Sequence, residues 1–592
     1  HRITTMKLSQ LYSNTSTFKD IVFNNGINLV IGKVTKKYDL TKDSHNLGKS
    51  TLIGVLDFML LKQIDNKHVF KKFETKFNGI ILFLEIFLNS GDYLTIRRSI
   101  NEPNKISFKR NNQKTRLSED SDWDILDMGL SPSIKALNDY LAFDILTNWN
   151  YRKSITYFLR GQNDYNDVFQ LGKFQNGKHV DWKPFMFDLL GFNGKLLTQK
   201  YNFDSQIENQ TKFINSIKNE FSVDEGEIDK IKGRIALKHS ELEETRKQID
   251  SFNFYKQERS LNKNLVDNIE NSIAEFNSLE YSLSYELDKA QKSIANSVSF
   301  DMEQLKDIYS DVEVYFPQSL SKSYEELVQF NNDITKERNK YLKERIKAIT
   351  EELQEVRQKL QELNAQRNET LNVLQSKDSF KKFKTYQINL ARLEGEISKL
   401  EEQLKSIDKI ANLKDIVSEI DGKLEVSIKE INDNIKYQDN PINAEIKKIF
   451  NDVFRTVFNV EALLYVTQNT NGNVEFKTDV AESSRITAES NGYTYRKMLC
   501  VAFDVAVLIA YRKHSFYRFV YHDGVLEGLD NRKKKKFIEL IQEYCKLYDI
   551  QYICTSIEDD LPIEILETFT TEEKCLTLDD SGDDGKLFGF SF

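Results

Sequence analysis

Residues that interrupt helices are scarce in this chain. Six prolines and 23 glycines are spread over 592 residues, too few for a loop-rich β protein, so long unbroken helices are expected. Cysteine is scarce too: Cys500, Cys545, Cys554 and Cys575 cluster near the carboxyl end without a CxxC spacing. That pattern excludes a disulfide framework or a zinc-clasped hairpin, and the four read as reduced cytosolic thiols, mostly in the core. No apolar run approaches the roughly 20 residues needed to cross a bilayer, and the start lacks the basic-then-apolar order of a secretory signal. A cytoplasmic protein with no membrane partner is expected. Excess positive charge is also missing. At a net charge of −8 no global basic field marks a nucleic-acid binder, so any DNA contact must come from local patches.

Charge of both signs is plentiful. Charged residues make up 29% of the chain and the mean hydropathy is −0.53, polar for one compact globule, so much of the chain should be solvated helix. His1 to Thr5, before Met6, read as a tag remnant. From Met6 to Ile31 short apolar runs between polar turns predict strands, the last leading to Gly32. A helix is predicted from Lys49, with Leu52, Val55, Leu56 and Met59 on one face. Further strands are predicted at Ile80–Leu88, Tyr93–Arg98 and Ile106–Lys109.

Past Gly194 the period changes. Ile228, Ile235, Leu242 and Ile249 recur every seven residues, with Ile231 at the matching d position. A second series, Ile346, Ile349, Leu353, Val356, Leu360 and Leu363, then Leu390, Leu393, Ile397, Leu400, Leu404 and Ile407, alternates steps of three and four. These are two coiled-coil arms, with breaks expected at Ser251–Tyr255 and Lys377–Phe383 that shorten or bend them. Between them Pro317 and a group of aromatics suit a turn-around. Beyond Pro441 the pattern is globular again, with a helix over Tyr493–His514, a strand over Arg518–Tyr521, a helix over Asn531–Tyr548 and a strand over Gln551–Thr555. The expected division is therefore 6–194 and 437–592 as two halves of one α/β head, arms at 195–297 and 333–436, and an apical turn-around at 298–332. The fold class is an α/β head assembled from both chain ends, plus a long antiparallel α-helical coiled coil.

Ser44-His45-Asn46-Leu47-Gly48-Lys49-Ser50-Thr51 follows an apolar strand and opens an amphipathic helix. In a phosphate loop, backbone N–H groups at such a helix start hold phosphate, the Lys49 ammonium bridges the β and γ phosphates, and the Ser50 hydroxyl takes Mg²⁺. The regular motif wants a glycine five residues before Gly48, where Asp43 stands; Gly32 fills that role if Lys33–Asp43 are an insertion. Near the other end, Phe519-Val520-Tyr521-His522-Asp523 is an apolar strand tipped by a carboxylate, as a Walker B strand is, with Asp523 on Mg²⁺. The glutamate that normally follows is replaced by Gly524. His522 and Glu527 are the nearest candidates for the missing base. The run Arg532-Lys533-Lys534-Lys535-Lys536 offers nucleic-acid phosphates a contact, although a charge run opening a helix is usually a solvated face.

With these pieces placed, the chain resembles the structural-maintenance-of-chromosomes and DNA-repair class of ATP-binding-cassette ATPases over essentially its full length. More closely, Ser44 to Leu52, Tyr157-Phe158-Leu159-Arg160 with Gln162-Asn163-Asp164-Tyr165, Trp182-Lys183-Pro184-Phe185 with Asp188-Leu189-Leu190-Gly191-Phe192, and His522-Asp523-Gly524 resemble short bacterial coiled-coil ATPases of ABC three-component and Lamassu-like anti-phage operons. The resemblance implies ATP and Mg²⁺ as cofactors. It makes Gln162 a Q-loop residue on the metal, places Ser490 and Gly492 on the nucleotide of the opposite subunit, Asp530 in a D-loop at the dimer contact, and Ser556 where a switch histidine usually stands. It further implies a homodimer closed by ATP, sensing of double-stranded DNA ends or structures, and a small adaptor with an effector, often a nuclease. Without the usual Glu and His, hydrolysis is expected to be slow. The rival readings are a pseudo-ATPase scaffold, a chromosomal repair or organisation ATPase, and a structural coiled coil with a fortuitous GKS.

Overall fold

A computed structural model describes residues 6–33, 48–171, 177–251, 263–295, 318–371, 377–481 and 490–592. Expectations for His1–Thr5, for Asn46 and the loop insertion, and for most of the 298–332 turn-around fall outside these residues. The chain divides into two compact units. One takes residues up to Gln199 and from Ser427 onward, and the other chiefly the helices between Lys200 and Val426.

In the first unit the strands are β1 (Lys7–Ser13), β2 (Ile21–Val22), β3 (Ile27–Lys33), β4 (Ile81–Phe87), β5 (Tyr93–Ser99), β6 (Lys105–Asn111), β7 (Ile125–Gly129), β8 (Leu159–Arg160), β9 (Ala462–Gln468), β10 (Val474–Val480), β11 (Phe519–His522), β12 (Gln551–Ile557) and β13 (Leu576–Asp579). Its main helices are α1 (Lys49–Met59), α2 (Leu130–Leu141) and α3 (His179–Leu189), and in the second half α9 (Pro441–Phe458), α10 (Ser490–Ala510) and α11 (Asn531–Tyr548). Helix α10 thus starts three residues before the predicted Tyr493 and ends four before His514. The central sheet has the order β13-β3-β12-β11-β8, and every neighbouring pair in it is parallel. Strands from the two chain ends are therefore interleaved, with β3 and β8 of the first half flanking the β12-β11 pair of the second, and neither half can form this sheet alone. β11 is buried along its whole length and β3 in all but Lys33, as strands covered on both faces must be. Beside it lies an antiparallel sheet, β2-β1-β4-β5-β6-β7. The Gln551 side chain ties the two together: its Oε1 accepts from Leu8 N and its Nε2 donates to Leu8 O, both at 2.9 Å.

The second unit is helical, built from α4 (Gly194–Phe221), α5 (Ile228–Asp250), α6 (Lys263–Ala295), α7 (Gln318–Leu371) and α8 (Lys377–Tyr437). The heptad residues lie where a seam requires. Ile231, Ile407 and Ile410 are buried in one cluster, Leu242 with Leu393 and Ile397 in a second, and Ile273 and Leu283 with Ile349, Leu353, Val356 and Leu360 in a third. Each such side chain contributes roughly 1.5–3 kcal/mol of burial free energy. The arms run antiparallel: α5 pairs with α8 through Lys238–Glu396 (3.2 Å) and Arg246–Glu394 (2.9 Å), and α6 with α7 through Glu286–Arg345 (2.8 Å) and Glu280–Arg357 (2.7 Å). A further set of contacts was not expected. Gln387 Nε2 donates to Glu270 O (3.0 Å), Ser278 Oγ donates to Glu394 (2.8 Å), and Lys289 pairs with Glu402, so α6 lies parallel to α8. The antiparallel hairpin is thus doubled back on itself. All but Ser251 of the first expected break, Ser251–Tyr255, falls outside the described residues, and the second, Lys377–Phe383, lies inside α8 rather than interrupting it.

Candidate nucleotide site

The site sits at the carboxyl ends of the parallel strands, where open α/β sheets collect ligands. Register aligns Leu29 with Cys554, and Cys554 and Arg160 each with His522, so Gly161 after β8, Asp523 after β11 and Thr555 within β12 stand at one level. Helix α1 starts at the same end. Its first turn is preceded by Gly48 at φ +97°, a conformation that costs an L residue about 1–2 kcal/mol. A Cβ there would also stand 3.0 Å from Leu587 Cβ. Glycine is therefore required at this position on both counts.

Lys49 is 7% exposed. Burial pushes its ammonium below the ordinary lysine range, against the opposing pull of Glu527, Asp523 and Asp560. The Ser50 hydroxyl donates to Asp523 Oδ2 at 2.9 Å across 473 residues of sequence. Thr555 Oγ1 donates to the other oxygen, Oδ1, at 2.5 Å, Asp523 N donates to Arg160 O at 3.1 Å, and Tyr165 OH donates to Asp523 O at 2.9 Å. Two hydroxyls thus hold the carboxylate, one on each oxygen, and two further hydrogen bonds hold the Asp523 backbone. Gln162, one residue beyond β8 and its following glycine, donates from Nε2 to Glu527 Oε1 at 3.3 Å. Lys49, Ser50, Gln162, Asp523 and Glu527, drawn from three stretches of sequence, thus form one cluster.

A hydroxyl, a carboxylate and an amide at one strand end are the hard oxygen donors that Mg²⁺ takes alongside substrate phosphates. The facing pair of Ser50 Oγ and Asp523 Oδ2 fits that ion. Among the described residues no group of three or more His, Cys, Asp or Glu side chains forms a separate metal site. The same residues contain no helix long and apolar enough to cross a membrane.

Other predicted residues are placed differently. His522 is fully buried on β11: Nδ1 meets Tyr552 OH at 2.8 Å and Nε2 meets Asp504 Oδ2 at 3.0 Å, and burial lowers its pKa. Both ring nitrogens are engaged away from the cluster, which removes His522 as a base and makes it part of a buried network. Arg160 completes that network, donating Nε and Nη2 to the two oxygens of Asp504 at 2.6 and 2.8 Å. Gly32 lies inside β3, paired to β12 and β13, so it is a strand residue rather than part of a phosphate-wrapping loop. Thr51 follows Ser50 in the first turn of α1. Ser556 is buried and its hydroxyl donates to Ile557 O at 3.2 Å; the hydroxyl that reaches Asp523 belongs to Thr555, one residue earlier and so on the opposite strand face. Asp530 caps α11, accepting from Lys533 N at 3.1 Å and pairing with the Lys533 ammonium at 2.9 Å. The basic run divides as well. Lys534 is buried and donates to Asp560 O, leaving Arg532, Lys535 and Lys536 exposed beside the paired Lys533.

Ser490 opens α10, and Gly492 is exposed in its first turn. The residues that follow reach the cluster. Tyr493 OH donates to Gln162 O at 3.4 Å, and Lys497 Nζ donates to Gly524 O at 2.9 Å and Glu527 O at 2.8 Å. Sequence reasoning missed Lys497, Asp504, Arg160 and Thr555. The visible signal for the first two was a charged pair seven residues apart, two helical turns, with Lys497 opening and Asp504 interrupting the otherwise apolar stretch Lys497–Ala510.

A family model described as "Uncharacterised protein conserved in bacteria (DUF2326)" matches residues 451–592, the carboxyl-terminal part of the head. Over 600 aligned residues, 97% of each chain, the protein is 21% identical to the uncharacterized protein YydD of Bacillus subtilis (strain 168). Among solved structures it is similar to the Smc head domain with a coiled coil and joint from Pyrococcus yayanosii (13% identity, 93% and 92% of the two chains covered, TM-score 0.31). It is also similar to the Smc head domain with an extended coiled coil bound to the C-terminal domain of ScpA from Pyrococcus furiosus (10%, 94% and 91%, 0.32), and to the recombination mediator protein RecF with ATP (10%, 94% and 94%, 0.31). Likenesses at this level add nothing to the α/β head with helical coiled coil, which its own strand order and helix pairing establish.

Proposed function

We propose that this protein is an ATP-binding, slowly hydrolysing ATPase of the cassette type, in which ATP closes two heads of a homodimer. The observation that carries the proposal is the meeting of Lys49 and Ser50, at the start of α1, with Asp523 at the end of β11. A buried lysine beside a helix N-terminus binds phosphate, and a hydroxyl facing a carboxylate holds a divalent ion. Mg²⁺ would be held by Ser50, Asp523 and the Gln162 amide oxygen, and its charge would offset that of the phosphates. Ser490, Gly492 and Asp530 face the second head in this reading. The exposed Arg532, Lys535 and Lys536 contact double-stranded DNA, whose presence changes head closure and so licenses an adaptor and an effector in anti-phage or anti-plasmid defence.

The test is calorimetry with ATP and Mg²⁺, with phosphate release measured with and without duplex DNA. Wild-type protein should bind ATP and release phosphate slowly, and Lys49→Ala should lower ATP affinity at least about tenfold. Absence of ATP binding would favour a purely structural coiled coil. Gly524, which puts no side chain next to Asp523, favours one second reading, a pseudo-ATPase scaffold. ATP binding without any Lys49-dependent phosphate release would select it.

A further inference from the structure

Gly524 leaves the head without a carboxylate directly after Asp523, yet the turn it opens supplies one. Gly524 lies at φ +64°, in the left-handed region, and the chain folds back so that Glu527 N donates to Gly524 O at 3.3 Å. A Cβ built on Gly524 would stand 3.0 Å from both Cδ and Oε1 of Glu527 and 2.9 Å from Gln162 Nε2. The space that a side chain at 524 would enter is therefore filled by the Glu527 carboxylate. Gln162 donates to that carboxylate at 3.3 Å, and Glu527 is the foremost of the charges opposing the burial-driven fall of both the Lys49 and the Lys497 pKa. The turn is gripped from outside by Lys497 of α10, whose buried ammonium donates to the carbonyls of both Gly524 and Glu527, at 2.9 and 2.8 Å. One ammonium on two carbonyls fixes both ends of the turn.

We infer that Glu527 is the general base of the ATPase and that Lys497 is its positioning residue. The inference rests on the ATPase reading above. In the step, a water oxygen forms a bond to the γ phosphorus as the bond to the ADP oxygen breaks. The Glu527 carboxylate accepts the proton the water loses and afterwards returns it to solvent. The products are ADP and inorganic phosphate. Gln162 orients the carboxylate through its amide nitrogen. Lys497, attached to the helix that Ser490 opens, ties the position of the base to that helix.

The experiment uses the full chain with ATP, Mg²⁺ and duplex DNA, and measures ATP affinity, single-turnover phosphate release and oligomeric state for each variant. Glu527→Gln should keep ATP affinity within about threefold, slow phosphate release about 100-fold or more, and accumulate an ATP-bound dimer by light scattering. Lys497→Met should lower kcat with little change in KM, and Lys497→Arg should recover part of it. Gly524→Glu should not raise the rate, because φ +64° and the filled slot both oppose it. Phosphate release by Glu527→Gln at the wild-type rate would overturn the assignment, as would a rate loss matched by an equal loss of ATP affinity. Lys497→Met with unchanged kcat would overturn the positioning role. Wild-type protein that binds no ATP would instead overturn the ATPase reading itself, with its own signature in the affinity measurement.

Discussion

At the scale of single residues, the head keeps several titratable groups in unusual states. His68 caps a short helix by accepting from Phe70 N through Nδ1 at 3.3 Å, and burial pushes its pKa down from 6.5 to about 4. His522, locked between Tyr552 and Asp504, is lowered in the same direction. Both are neutral in the folded state, while their unfolded counterparts begin to bind protons as pH falls below 6.5. The unfolded chain therefore takes up more protons in that range, and stability present at neutral pH is lost on acidification. For His68 the loss runs from 6.5 down to about 4. The melting temperature should drop between about pH 7 and about pH 5. His68→Asn, which keeps a capping acceptor without a titrating ring, should flatten that slope relative to wild type in calorimetric scans; an unchanged slope would refute the assignment. Residue identity alone picked out Lys49, Ser50 and Asp523, since their chemistry is tied to a local pattern. It could not separate His522 from Glu527, or Ser556 from Thr555. That choice depends on which strand face a side chain takes and on what lies across the sheet.

At the scale of elements, most helices and strands were legible because each carries its own period and its own boundary signals. Asp530 before Asn531–Tyr548, and Asn440 with Pro441 before α9, mark helix starts by side-chain capping. The two-residue β8 and the four-residue β13 were not legible: each exists by pairing along one edge, with β11 and β3, and lacks the unbroken apolar run that marked the equally short β11. The coiled coil illustrates the same limit. Heptads fix which residues face a seam, and the half-heads at the two chain ends call for an antiparallel return, but neither says whether a hairpin stays extended or doubles back. Lys289→Cys with Glu402→Cys tests the doubling. A short bis-maleimide should cross-link the pair within one chain in high yield, whereas an extended hairpin would keep 289 and 402 apart and give no intramolecular product.

At the scale of the whole molecule, the interleaving of strands from the two ends in the parallel sheet makes the head one cooperative object. β3 sits between β12 and β13, and β11 between β12 and β8. Each fragment alone exposes unpaired edges of strands that are buried in the whole head, and such edges aggregate readily. Residues 1–199 expressed alone should therefore be insoluble, as should 427–592, while their co-expression should yield a soluble one-to-one complex by size-exclusion chromatography; independent solubility of either fragment would contradict this. The sequence by itself determined that there are two half-heads and a heptad-bearing middle, because hydrophobic period, capping and the phosphate-loop residues are local. Only the tertiary structure decided the rest: that Ser50 meets Asp523, that Thr555 rather than Ser556 touches the carboxylate, that Glu527 fills the slot beside Gly524, and that the hairpin doubles back. The physical reason is that these are contacts between groups up to 473 residues apart. They are set by strand order, side-chain alternation and backbone conformation at a single glycine, none of which leaves a periodic trace in the chain.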